Sequence, residues 1–309
     1  MANLKSVAVV GASGNLGQVI VPFLIKANFD VTAICRPGSK ASFPENVKVI
    51  KTEYALGPLT DSLKGHDVVI CVLDPLALAA EAIVIDAATD AGVKWFIPSE
   101  FGHNTADERV LSTLPFLKGK VEMITKLEGK KARGLNWVGV VTGLFFDWGL
   151  ARDFLGFNLK EKTALIWDDG NTKFHTTNIG DIARALINLL SNPDTLDKVK
   201  NRFVYISSFE VTQNRVLLEL ERATGTAFQV KKVTSEEMKQ HALESLAKGD
   251  RNAVGILLQY IAWGKEGLSY FDKLAEEGNA LLLPSPQENL QSTVEQVVKS
   301  EKVSLKGTL

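Results

Sequence analysis

The sequence predicts an α/β protein: a doubly wound parallel sheet followed by a smaller, partly helical C-terminal lobe. Three observations carry this. Short apolar, β-branched runs alternate with helical patterns through the first half, which requires parallel strands joined by right-handed crossovers. The first run feeds straight into a glycine-spaced bend that opens a helix. The chain has 309 residues, 45% hydrophobic and 23% charged, enough length and apolar content to bury a full core. Together they define a Rossmann-type arrangement.

The elements follow in order. Ser6–Val10 is apolar and β-branched throughout, the pattern of a strand covered on both faces. Asn15–Asn28 places Leu16, Val19, Ile20, Phe23 and Leu24 at helical spacing. Asp30–Cys35, Asn46–Ile50 and Asp67–Leu73 read as the next strands, and Leu76–Ala91 as an Ala-rich helix. Val93–Ile97 and Asn136–Val141 continue the series. Beyond about residue 142 the rhythm changes. Ala164–Trp167 and Phe174–Thr177 read as short strands around the turn Asp168-Asp169-Gly170-Asn171. Ile179–Leu190 is a helix, Phe203–Ile206 a strand that can return to the main sheet, and Val211–Ala223 a helix. Ser235–Lys273 is mostly helical, with a capping box from Ser235 left incomplete because Met stands at 238. Gln287–Lys299 is the last helix. Residues 1–150 are expected to form the dinucleotide-binding domain and 151–309 the substrate-binding lobe.

Bulk properties exclude several functions. A net charge of −1, with no long run of one sign, gives no basic face for nucleic acid. No apolar stretch approaches the ~20 residues that span a bilayer, and the N-terminus enters a strand without a signal-peptide core. The two cysteines, Cys35 and Cys71, sit in apolar strands and are expected to be buried small hydrophobes. The expectation is a cytoplasmic protein with a small-molecule substrate, no membrane or nucleic-acid partner, and an oligomeric state left open.

The sharpest local signal is Gly11-Ala12-Ser13-Gly14-Asn15-Leu16-Gly17. After a buried strand and before a helix, Gly11 permits the tight turn and Gly14 lets backbone approach a diphosphate. Gly17 lets the helix sit close to the strand. The diphosphate then rests on amide groups at the positive end of the helix. At the end of the second strand, where an acidic residue would select NAD, stands Arg36, with Lys40 close behind. A guanidinium clamps a 2′-phosphate in bidentate fashion, so NADP(H) is the expected cofactor.

None of the four tyrosines has a lysine four positions on, and no Ser-His-Asp arrangement or metal-ligand cluster stands out. Phe96-Ile97-Pro98-Ser99-Glu100-Phe101-Gly102 instead closes the fifth strand, where such sheets hold their ligands, and Pro115-Phe116-Leu117-Lys118-Gly119-Lys120-Val121-Glu122 opens a later helix. With the glycine bend, these runs resemble the isoflavone reductase-like branch of the NmrA-like atypical short-chain reductases, especially its fungal members. The likeness continues through Asn178–Ala183 and Leu217–Val230, to about residue 235.

The resemblance implies a lysine near the start of that helix as general acid/base. Lys118 is the first candidate, also as a nicotinamide contact, and Lys120 the second. The family's arginine pair is replaced here by Glu122-Met123. Desolvation beside a nicotinamide brings a lysine closer to working pH, so that it exchanges a proton with a carbonyl, phenol or enol oxygen. Glu81 stands where the family often has glutamine, placing an acid near the cofactor path, as does Asp74. Leu73, ending the fourth strand, completes the expected cofactor contacts.

Phe101, and Phe145, Phe146 and Trp148 after the sixth strand, suit a flat or conjugated substrate, and suit packing between lobes equally well. His103 and His175 can serve as polar contacts in the pocket or as surface or capping residues and are kept out of the catalytic set, and Asp181 is expected to complement a helix dipole or pack. Three functions stay open: an NADPH-dependent reductase of a small aromatic or conjugated secondary metabolite, a non-redox enzyme keeping NADP(H) in its pocket, and a non-enzymatic redox sensor.

Overall fold

The protein is described by a computed structural model covering residues 4–74, 77–284 and 289–304. β1 (Ser6–Val10) turns at Gly11 into α1 (Asn15–Lys26), followed by β2 (Asp30–Cys35) and β3 (Lys48–Lys51). Then come α2 (Leu56–Leu63), β4 (Val68–Cys71), α3 (Leu78–Asp90) and β5 (Trp95–Ile97). A short α4 (Glu108–Thr113) precedes α5 (Lys118–Lys130) and β6 (Asn136–Val141).

The second half opens with β7 (Leu144–Phe145), α6 (Phe146–Leu150), β8 (Phe157–Asn158), β9 (Thr163–Trp167) and β10 (Phe174–Thr177). It continues with α7 (Ile179–Ser191), α8 (Pro193–Lys198), β11 (Arg202–Tyr205), β12 (Phe209–Val211) and α9 (Gln213–Thr224). β13 (Gln229–Val233) and four helices follow: α10 (Ser235–Ala247), α11 (Ala253–Trp263), α12 (Asp272–Leu282) and α13 (Leu290–Ser304).

The main sheet runs β11-β6-β5-β4-β1-β2-β3, and each of its neighbouring pairs is parallel. Strand order reverses between β1 and β4, which leaves a crevice at their C-terminal ends. Ile20 and Leu24 of α1, with Ile182, Leu186 and Leu189 of α7, cover one face of the sheet. Val84 and Ala88 of α3, with Met123 and Leu127 of α5, cover the other. Each such side chain contributes about 1.5–3 kcal/mol by leaving water. That explains why the inner strands β1, β2, β4, β5 and β6 are largely apolar rather than alternating, whereas β3 lies exposed at the sheet edge. A separate core joins the small sheets β12-β10-β7 and β13-β9-β8 to α9 and α11, with Trp167 and Trp263 edge to face at 5.5 Å.

β11 returns from the second half to pair with β6, so the main sheet draws on both halves of the chain. Several short elements, among them β7, β8, β13, α4, α6 and α8, are additions to the sequence reading, and three further departures have a local cause. Val211 ends β12, and Thr212, whose hydroxyl accepts from the Arg215 amide, starts α9 two residues later than expected. The capping box of α10 is complete, because its cap is Thr234 rather than Ser235. The Glu237 amide donates to Thr234 Oγ1, and the Glu237 carboxylate accepts from the Thr234 amide. α2 was not anticipated: only Leu59 and Leu63 of its eight residues are buried, too short an apolar stripe to register. The expected starts at Leu76 and Gln287 lie outside the described residues.

Candidate active site

The glycine bend is shaped by close contacts. Gly11 has φ +86°, and a Cβ there would stand 2.7 Å from the Val72 carbonyl oxygen, so only glycine serves. A Cβ on Gly17 would stand 2.7 Å from both Cα and O of Ala12, so α1 sits directly on the turn. Gly14 caps α1 without any side-chain hydrogen bond, which leaves the helix's positive end open to an anion.

Two cavities meet at this bend. One, of about 500 Å³, is lined by Ser13, Gln18, Arg36, Ser39 and Lys40, so two cations and two hydroxyls face it. Its floor is a turn in which the Ser39 amide donates to the Arg36 carbonyl at 3.0 Å. Lys51 Nζ fastens that turn by donating to the Ser39 carbonyl at 2.8 Å. The other cavity, of about 450 Å³, starts at Gly14, Asn15 and Leu16 and passes Leu73 and Asp74 to reach Ser99, Phe101, Lys120, Phe145 and Trp148. These residues could hold a phosphorylated dinucleotide: Arg36 and Lys40 would meet its 2′-phosphate, the open start of α1 its diphosphate, and the cavity beyond Leu73 its nicotinamide.

Past the cofactor path, one charged group enters the second cavity from α5. Lys120 is 7% exposed and its Nζ donates to the Glu100 carbonyl at 2.8 Å. The loop it holds is anchored from the opposite side as well. Glu81 Oε1 accepts from the Ser99 amide at 2.8 Å, and Ser99 Oγ donates to the Leu73 carbonyl at 2.7 Å. The Glu100 carboxylate accepts the Thr105 hydroxyl at 2.7 Å. Burial pushes the Glu81 carboxyl above the ordinary glutamate range, against the opposing pull of the Ser99 amide and Lys120.

Two residues of the cavity lining, His103 and Trp148, each carry a buried polar atom without a hydrogen-bond partner. His103 Nε2 lies 2.9 Å from the Leu258 carbonyl, which can only accept, so the proton sits on Nε2. Nδ1 is then a bare acceptor, buried and without a partner. Burial lowers the His103 pKa to about 4, keeping the ring neutral. The Trp148 indole N–H is likewise buried and unpartnered. Phe101, Phe116, Leu144 and Phe145 supply apolar wall.

A model of the NmrA-like family matches residues 3–275. The chain belongs to the NmrA-like family. Among this NmrA-like protein's relatives is "Oxidoreductase aprR" of Aspergillus flavus, 35% identical over 301 residues that cover 95% of this chain and 98% of that protein. "Isoflavone reductase homolog IRL" of Zea mays is 29% identical over 262 residues, covering 79% of this chain and 83% of that one. Among solved structures, the binary complex of leucoanthocyanidin reductase with NADPH from Vitis vinifera superposes with a TM-score of 0.78 at 16% identity, covering 95% of this chain and 99% of that one. That likeness shows the fold.

In this NmrA-like protein the anticipated cofactor residues divide between the two cavities. Ser13, Arg36 and Lys40 face the first; Gly14, Asn15, Leu16 and Leu73 face the second; Gly11 and Gly17 shape the bend beneath them. Lys118 joins neither set, and here the structure corrects the sequence. Residues two apart on a helix point to opposite sides. Lys120 shares the buried face with Met123 and Leu127, so Lys118 is exposed to solvent.

Phe146 is the second correction. It is fully buried in the second core, edge to face with Phe209 at 5.1 Å, whereas Phe101, Phe145 and Trp148 line the cavity. Glu81 is not a loose anion beside the cofactor but the buried anchor of the Ser99 amide. Asp181, in the first turn of α7, pairs with Arg184 and accepts the Ser208 hydroxyl, a packing role as anticipated. The sequence reading passes over Thr105 and allows His103 only as a polar contact in the pocket, whose lining it does join. A lone buried histidine gives no one-dimensional signal until its ring has a known partner. Among the described residues no helix is long and apolar enough to cross a membrane.

Proposed function

We propose that this protein is an NADPH-dependent reductase of a small aromatic or conjugated metabolite, with Lys120 as its general acid/base. The observation that carries the reading is the placement of Lys120 Nζ, in a cavity continuous with the cofactor path and fixed by the Glu100 carbonyl. Two features support the phosphorylated cofactor and the reaction class. Arg36 and Lys40 flank the first cavity, and relatives over most of the chain are named oxidoreductase and isoflavone reductase homologue.

NADPH, when bound, supplies a hydride from nicotinamide C4. The chain's own residues do the rest. Lys120 spends one N–H on the Glu100 carbonyl and keeps the others for the substrate oxygen. From there it gives a proton to the oxygen of a reduced carbonyl, or takes one from a phenol or enol in the reverse sense. His103 and Trp148 border the same cavity, and each brings a buried polar atom with no partner, an acceptor on His103 and a donor on Trp148, that a substrate hydroxyl or oxygen would satisfy once the side chain turns to it. Each of these atoms costs about 1–3 kcal/mol while buried and unpaired, so a ligand that satisfies both gains that much in orientation. Phe101, Phe116 and Phe145 exclude water and stack on a flat substrate.

The test compares Lys120→Met with Lys118→Met in NADPH-consumption assays over a panel of aromatic and conjugated carbonyl compounds. Turnover in Lys120→Met should fall by about 10²- to 10⁴-fold with NADPH affinity retained, while Lys118→Met stays near wild type. The reverse pattern overturns the assignment of Lys120. Product formed without loss of nicotinamide absorbance overturns the reductase reading.

A further inference from the structure

A second cluster of chemistry-bearing side chains lies away from both cavities, where β10 and β12 meet the start of α12. His175 and Glu210 are directly opposite in the antiparallel β10–β12 pair, so their side chains leave the same face. Asp272, the first residue of α12, closes on them from the third side. One ligand atom from each of the three lies within 4.8 Å of the other two.

We propose that His175, Glu210 and Asp272 form a binding site for a divalent transition-metal ion of the zinc class, with water completing its coordination. The histidine decides the argument. It is 4% exposed, and Nδ1 lies 3.0 Å from Ser207 Oγ. That hydroxyl is 2.9 Å from the Phe209 carbonyl, which can only accept, so its hydrogen is committed there and Oγ accepts from Nδ1–H. Nε2 is therefore a bare lone pair, sealed from solvent and without a partner. A metal-bound histidine is prepared in this way: its other nitrogen is held by an oxygen that fixes tautomer and ring plane. The plane is fixed further by stacking on Phe271 at 4.7 Å and on Tyr270 at 5.3 Å.

The three converging atoms are all Lewis bases; the Lys173 ammonium meets Glu210 and the Tyr270 hydroxyl meets Asp272, but His175 Nε2 has no partner. A divalent ion reached by all three would give Nε2 the partner it lacks and offset both carboxylates. One nitrogen and two carboxylates suit the zinc class, whose bonds of about 2.0–2.2 Å set ligand atoms about 3.4 Å apart in a tetrahedron. The cluster has to close by roughly 1 Å, which the exposed Glu210 and Asp272 side chains can do by rotamer adjustment. The rival already present is Lys173, whose Nζ sits 2.6 Å from Glu210 Oε1 and must yield that oxygen or leave the second one to the metal. A bound ion would join β10, β12 and the segment leading into α12.

The experiment titrates Co²⁺, and then Zn²⁺ in competition, into the untagged full-length chain. Visible d–d absorption and calorimetry are the readouts, with no cofactor or substrate present. One equivalent per chain should bind saturably, and binding should weaken at least tenfold in Glu210→Gln and in Asp272→Asn. Both positions are exposed, so neither substitution disturbs the core. Lys173→Gln should tighten binding by removing the competitor. Zn²⁺ should raise the melting temperature of the wild type but not of Asp272→Asn. Absence of saturable binding, or binding of equal strength in the wild type and both carboxylate variants, overturns the proposal.

Discussion

Acid should expose the buried histidine at the heart of the cavity. His103 titrates at about 4 in the folded protein against an ordinary value of 6.5, because burial removes the water that would solvate its cation. The unfolded chain therefore binds this proton more readily than the folded one. The stability tied to neutral His103 is complete above about pH 6.5 and is lost as the pH falls towards and through about 4. At about 1.4 kcal/mol per unit, the full difference is about 3 kcal/mol, a large share of the stability of an ordinary domain. Other groups also lose stability in acid: Asp67, Asp86 and Asp107 have pKa values held below the ordinary carboxylate range, and His66 is lowered by burial. The His103 share must therefore be read as a difference. His103→Gln keeps a donor for the Leu258 carbonyl but cannot titrate. Urea unfolding of both proteins between about pH 7 and pH 4 should show a fall for the wild type that is steeper by up to about 3 kcal/mol. Parallel curves would refute the neutral, desolvated histidine, and with it the bare acceptor assigned to the cavity.

Two further outcomes follow from the cofactor bend. Gly17→Ala places a methyl 2.7 Å from the backbone of Ala12, so α1 must lift from the turn. It should cost about 1–3 kcal/mol by thermal or urea unfolding and weaken NADPH binding as the helix end moves. Arg36→Ala removes one of the two cations facing the phosphate cavity. It should weaken NADPH about tenfold while leaving NADH affinity unchanged by calorimetry, the side chain being solvent-exposed and its contribution correspondingly modest.

Much of the frame is legible in one dimension because the inner strands β1, β2, β4, β5 and β6 are buried on both faces, and such strands appear as mostly apolar runs. The Ser6–Val10 strand, the bend from Gly11 to Gly17 and the helix after it form a local unit whose geometry depends on neighbouring residues alone. Lys118 and Lys120 show where that stops. Both stand at a helix start, and a motif spacing cannot say which of them faces inward. The register with Met123 and Leu127 can, since 120, 123 and 127 fall on one helical face and 118 does not. Phe146 is a related case: Phe145 and Phe146 are neighbours at the junction of β7 and α6, and which of them lines the cavity is set by packing on Phe209, 63 residues later by their numbers. The His103 tautomer is fixed by Leu258 across 155 residues, and the cap of α10 falls one position earlier than the sequence suggests because Thr234 and Ser235 are adjacent and either hydroxyl can cap a helix.

The claim on which the rest depends is that the open end of α1, together with Arg36 and Lys40, holds a phosphorylated dinucleotide. Titration calorimetry of the full-length chain with NADPH and, separately, with NADH measures it directly. One NADPH per chain should bind about tenfold or more tighter than NADH, the share expected of charge-assisted contacts to one extra phosphate. No heat from either cofactor, or NADH binding as tightly as NADPH, would contradict it.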